Sequence, residues 1–324
     1  MKLLYDRTSG ARVTDELSVK DMRLLVLEND AIRVTLMPEK GSDIVEFVDK
    51  RTDTDFLWRT PNGIRSIKSE PNLRGHEQYF NAYYEGGWQE LFPHGSGPSA
   101  VHDAPMPLHG EVQSLPWKYT IVKDAPEEVQ VKLWVRTVLT PFLVEKTLTM
   151  TASDPWVRFD ERATNLGMST FEIMWGHHPA FGEPFLSGDC VIELPKGKPV
   201  DGDLSMCRIP ARGKGAPGNM WYLTELEQGW YGIFNSKREV GFGMKWDAKF
   251  FPVIWIWQSY GADGGWPHYG REYACAIEPF TTLPKPHYDI RGRVPMKAGE
   301  AFETTFHAFS YRGKLAQTLG KLGG

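Results

Sequence analysis

Cysteine is scarce. The 324-residue chain holds three, Cys190, Cys207 and Cys275, odd in number and widely spaced. No CxxC or related spacing occurs, so neither a disulfide framework nor a structural zinc is supported. A basic excess is also missing. The formal net charge is −4, whereas a nucleic-acid backbone would favour a basic face. No run approaches the ~20 apolar residues of a membrane span. The opening stretch MKLLYDRTSGARVTDE has no apolar segment of signal-peptide length. These absences lead to an expected soluble protein of a reducing cytoplasm, with no nucleic-acid or membrane partner. Four-turn amphipathic helices are lacking too. The nearest candidate is the tail, YRGKLAQTLGKLGG, which is short and glycine-rich.

What the chain has is strand pattern and aromatic residues. LLVLENDAIRVTLMP (24–38) reads as two β-rich runs around an Asn29-Asp30 turn. VQVKLWVRTVL (129–139) puts Val129, Val131, Leu133 and Val135 on one face. FLVEKTLTMTA (142–152) does the same with Val144, Leu148 and Met150, interrupted by Lys146. WVRFDERATN (156–165) alternates again, and WYGIFNSKREVGFGMKW (230–246) reads as a hairpin turning near Ser236-Lys237. A period of two marks half-buried strands. The 32 glycines and 23 prolines fall mostly between these runs. The polar, Pro/Gly-rich stretch 184–220 reads as long surface loops. The expectation is an all-β chain, one domain over 1–324, built of packed antiparallel sheets.

Aromatics make up 13% of residues and tryptophan alone counts 12, which suggests a stacking surface for a ligand. Four segments gather chemistry. In EGGWQELFPHGSG (85–97), Trp88 is placed to stack on a sugar ring and Gln89 to bond its hydroxyls; the plainer reading is a tight loop around a packed Trp. In PLHGEV (107–112), His109 precedes a glycine. In MWGHHPAFG (174–182), His177 and His178 are neighbours. Neighbours on a strand point to opposite faces, so one of the two is expected at a site and the other in packing. That also argues against a metal, as does the lack of an HExxH pair. In WIWQSYGADGGWPHYGREYACAIEPFTTLP (255–284), Glu278 follows an apolar run. Burial would raise its carboxyl pKa and suit it to general-base work; the plainer alternative is a salt bridge to Arg271. Trp255, Trp257, Gln258 and His268 would add a sugar-like lining. Two functions fit these residues: a His/Glu acid–base enzyme acting on a carbohydrate, or a non-catalytic carbohydrate-binding β-sandwich.

These motifs together resemble the aldose 1-epimerase (galactose mutarotase-like) family along most of the chain. ENDAIRVTLMPEKGSDIVEFVDKRTDTDFLW (28–58) is like the family's opening. LHGE is like its His-Gly motif, GHHPAFG like its catalytic-acid motif, and AIEPFT like its base motif. The resemblance implies a large antiparallel β-sandwich, the supersandwich of that family. It implies an isomerase, a mutarotase of carbohydrate metabolism that interconverts the α and β anomers of a free or substituted hexose. Glu278 would be the general base on O1 and His178 the general acid on O5. His109 would bond near the anomeric and ring oxygens. His177 is the weaker choice of acid, since Phe181 lies three residues after His178. No metal or organic cofactor is implied; the partner is a small-molecule sugar, and the protein is expected as a monomer or homodimer. The chain departs from the family where an Asn-Arg segment is usual. Arg74 and Gln89 stand as substitutes, and Arg74, Arg271 and Lys285 as candidate cations for a phosphorylated or sulfonated sugar.

Overall fold

The computed structural model describes residues 7–68, 76–97, 99–101, 103–213, 218–261, 264–284 and 294–322. The strand runs read from the sequence pair as expected. Met22–Glu28 pairs with Ile32–Met37 across the Asn29-Asp30 turn, and Gly229–Asn235 pairs with Val240–Trp246. An 11-stranded and an 8-stranded antiparallel sheet stack face to face. Their inner faces share one apolar core, in which Val129, Val131, Leu133 and Val135 are buried together as their alternation requires. Edge-on ring contacts join the sheets, Phe47 to Phe242 at 5.0 Å among them. The architecture is the expected large antiparallel β-sandwich.

Lys146, which interrupts an apolar face, is buried because it has a partner. Its ammonium lies 3.2 Å from Glu90 Oε2 on the facing sheet and 4.6 Å from the Trp117 ring centre. A buried cation is tolerated when it is paired in this way.

Two readings of the sequence change. Stretch 184–220 is not all loop. Cys190–Glu193 and Lys198–Val200 are edge strands, paired to Gly229–Asn235 and Asn219–Thr224. Tertiary pairing overrides the turn-rich composition there. Helices also form, at His76–Tyr83 and in the tail at Leu315–Lys321. The tail helix is held by packing rather than propensity, with Leu315 buried against Phe309 and Tyr311.

The middle of the larger sheet positions the site. Its order there is Trp88–Leu91, Gly176–Gly182, Ala274–Phe280, Val253–Ser259. The first three of these strands are buried at every position. Gly176 lies opposite Phe280 and Ala180 opposite Ala276. That register sets His178 across from Glu278, although the chain separates them widely. Gly176 has no room for a side chain: a Cβ would fall 2.3 Å from the Phe280 ring. Phe280 in turn stacks on Trp255 at 3.8 Å, so it has nowhere to retreat. Gly176→Ala is expected to cost about 1–3 kcal/mol by overpacking. Urea unfolding checks this; an unchanged midpoint would mean that the ring moves freely.

Candidate active site

On each central strand, alternate residues face the core and the other face of the sheet. Trp175, His177 and Phe181 point into the core, as do Cys275, Ile277, Ile254 and Ile256. His178, Glu278, Trp255, Trp257 and Ser259 point the other way, into a cleft of about 460 Å³. His109, Tyr84, Phe80, His268 and Glu272 complete much of its wall. Clefts of roughly 300–1,000 Å³ commonly take small molecules.

The same parity sorts the predicted binding residues. His178, Glu278, His109 and Trp257 meet in the cleft. Trp88 does not. It pairs with Pro179 on the core face, packed on Phe159 and Phe306, so it is not a stacking platform. His177 is likewise an interior residue, its ring 4.7 Å from Phe306. Gln258 pairs with Cys275 and turns to the core side, its amide donating to the Met206 carbonyl at 2.9 Å. Gln89 shares the His178 face but lies beneath the cleft lining, fully buried. Arg271 is exposed and donates to the His268 carbonyl. Arg74 and Lys285 lie outside the described residues.

At the centre, His178 Nε2 lies 3.6 Å from Glu278 Oε1. That is beyond hydrogen-bond range. Oε1 has no hydrogen-bond partner among the described residues although Glu278 is 2% exposed. Tyr84 Oη lies 3.3 Å from His178 Nδ1. Burial pushes the Glu278 carboxyl well above its ordinary range and lowers the His178 imidazole to about 4. Both shifts act the same way, favouring the proton on the carboxyl over the imidazole. Burial also keeps the Tyr84 phenol protonated. Among the described residues no group of three or more His, Cys, Asp or Glu side chains is placed to hold a metal ion.

Two buried polar chains, neither foreseen from sequence, hold the histidines. In the first, Lys40 Nζ reaches Asp43 Oδ2 at 2.7 Å and Glu85 Oε2 at 2.8 Å. The Gln89 amide nitrogen donates to the same Asp43 oxygen at 2.8 Å, and Gln89 Oε1 lies 2.8 Å from His109 Nδ1. Burial and the neighbouring His178 keep the His109 pKa well below its ordinary value, so the ring is neutral. Oε1 can only accept, so His109 carries its proton on Nδ1, and its Nε2 is an acceptor. The backbone there is in the left-handed region, φ +66° at His109, a cost of about 1–2 kcal/mol for a residue with a side chain. The second chain lies behind the sheet. Trp88 Nε1 donates to His177 Nδ1 at 3.4 Å, and His177 Nε2 lies 3.1 Å from Glu161. Burial lowers His177 to about 4 and raises Glu161 to about 8. His177 thus locks the strand from one side while its neighbour faces the cleft on the other.

Gln89→Met should remove the acceptor that fixes the His109 tautomer. Nitrogen-15 NMR of the imidazoles is expected to show His109 changing from the Nδ1-protonated form to a mixture. An unaltered His109 signal would show that something else sets it.

No curated protein matches the sequence. Among solved structures, a candidate aldose 1-epimerase from Klebsiella pneumoniae superposes with a TM-score of 0.79 at 14% identity, over 97% of this chain and 88% of its own. A galactose mutarotase-like protein from Clostridium acetobutylicum gives 0.67 at 14% identity, over 94% and 99%. One from Lactobacillus casei gives 0.60 at 16%, over 89% and 100%. At these identities the likeness establishes the fold, the one that the motifs led us to expect. The profile of DUF4432, a domain of unknown function, matches residues 20–306, and the chain belongs to that family.

Proposed function

We propose that the chain is an aldose 1-epimerase, interconverting the α and β anomers of a reducing sugar with Glu278 and His178 as its acid–base pair. The observation that carries the proposal is the pair itself. A buried carboxyl oxygen without a partner and an imidazole nitrogen stand 3.6 Å apart on a cleft lined by Trp255 and Trp257. Anomer exchange needs one proton taken from O1 and one given to ring oxygen O5. Glu278 takes the first and His178 gives the second. In the empty site the pair's proton rests on Glu278, so the working form arises when that proton passes to His178. Bringing hydroxyl donors to the carboxylate favours that transfer, since hydrogen bonds to the charged form lower a carboxyl pKa. The open aldehyde turns about C1–C2, and closure on its other face runs the same transfers backwards. His109, an acceptor at Nε2, would bind a sugar hydroxyl beside the reacting carbon, and Trp257 would pack on the ring. The partner on this reading is a small-molecule sugar and no cofactor takes part.

Polarimetry on freshly dissolved anomers tests the proposal. Glu278→Gln and His178→Ala should each lower kcat on the order of 10²–10⁴-fold, the usual worth of one acid–base group. Near wild-type turnover in either variant would remove that residue from the role. Binding without any acceleration by the wild type would leave a carbohydrate-binding protein.

The protonation states set the pH profile. Below about pH 4 His178 is also protonated and the pair has no base. Above the raised Glu278 pKa neither group holds a proton and the pair has no acid. A plateau through neutrality with a fall on each side is expected, the acid limb near His178's value. Activity that fell between pH 7 and 6 would contradict it.

A further inference from the structure

The cleft continues past the Glu278–His178 pair. Trp255, Trp257 and Ser259 share one face of their strand, with Trp255 opposite Glu278 and Ser259 opposite Ala274. Four residues of antiparallel strand at about 3.4 Å each put Ser259 roughly 14 Å along from Trp255. That is longer than a single pyranose ring.

The far end is built from polar groups that lack partners. Ser259 Oγ donates to Glu272 Oε1 at 2.9 Å. The other oxygen, Glu272 Oε2, is buried and has no partner among the described residues, and neither has His268 Nδ1. The two residues are only 4% and 9% exposed, and both line the cleft. The His268 ring is fixed edge-on against Trp58 at 5.4 Å. A buried polar atom left unpaired is destabilising, so a pair of them in one recess points to a ligand that completes them. The walls supply stacking faces, Trp257 and the half-exposed Trp266. Among the described residues that line the cleft there is no lysine or arginine, whereas Glu272 and Glu278 both do. Without a cation to pair with, a phosphate or sulfonate is disfavoured there. A hydroxyl fits: it donates to Glu272 and exchanges a hydrogen bond with His268.

We infer that Glu272, His268 and Ser259 form a second sugar subsite, so that the cleft takes a reducing disaccharide whose neutral second ring stacks on Trp266. The inference rests on the mutarotase reading for the fate of the first ring.

Saturation-transfer NMR titrations of the full chain with glucose, galactose, maltose, cellobiose, lactose and glucose 6-phosphate test it. At least one disaccharide is expected to bind tenfold or more tightly than the monosaccharide at its reducing end. Glu272→Gln and Ser259→Ala should each bring that ratio toward one. Wild type alone decides the matter if a variant fails to fold. No disaccharide advantage, or glucose 6-phosphate as the tightest ligand, overturns the subsite. Anomer exchange read on the same samples separates the two claims. A disaccharide advantage without acceleration supports the subsite and removes the mutarotase. Acceleration of monosaccharides with no such advantage does the reverse.

Discussion

The site depends on the period of two in four neighbouring strands. Successive side chains on a strand leave opposite faces of the sheet, and the central strands of the larger sheet are covered on both. One face meets the second sheet; the other floors the cleft. Register then decides function. Gly176 against Phe280 and Ala180 against Ala276 bring His178 and Glu278 together, while His177 and Ile277 turn into the core. A slip of one residue would exchange the two sets and replace His178 and Glu278 in the cleft by core residues. The register is defended from both sides. Phe280 fills the space above Gly176, and the Trp88–His177–Glu161 chain holds the same strand from within.

Burial supplies the chemistry as well as the geometry. Taken from water, Glu278 is pushed toward its protonated form and His178 toward its neutral one. Such a pair has a single proton to move between two positions a few ångströms apart, which suits a reaction that consumes one proton and returns one. The interior also holds other buried ionisable groups, and these are paired. Lys40 serves Asp43 and Glu85, and Lys146 serves Glu90. The Lys40 chain also reaches the cleft, because Asp43 orients Gln89 and Gln89 orients His109.

Much of the fold was legible in the sequence where one face of a strand is wet. Glu128–Arg136 and Phe142–Thr151 alternate and were read correctly. At the centre the pattern is silent. GHHPAFG and ACAIEPF are buried at every position, so alternation cannot tell the cleft face from the core face. That is why Trp88 and Gln258 looked like sugar-binding residues and are interior ones. His178, Glu278 and His109 were chosen by motif order and Trp257 from its aromatic-rich segment, and all four line the cleft. Glu272, Ser259 and Tyr84 were missed, since each is an ordinary residue whose position depends on pairing across the sheet. The helix at His76–Tyr83 was missed too, its pattern too short to stand apart from the aromatic residues around it.

The central claim is that a sugar's anomeric carbon sits between Glu278 and His178. A crystal structure of the protein soaked with the reducing sugar that binds it most tightly tests this most directly. The account predicts O1 and O5 within hydrogen-bond reach of Glu278 and His178, about 2.6–3.2 Å from each donor or acceptor. A sugar bound in the cleft with its anomeric carbon turned away from both residues would contradict it.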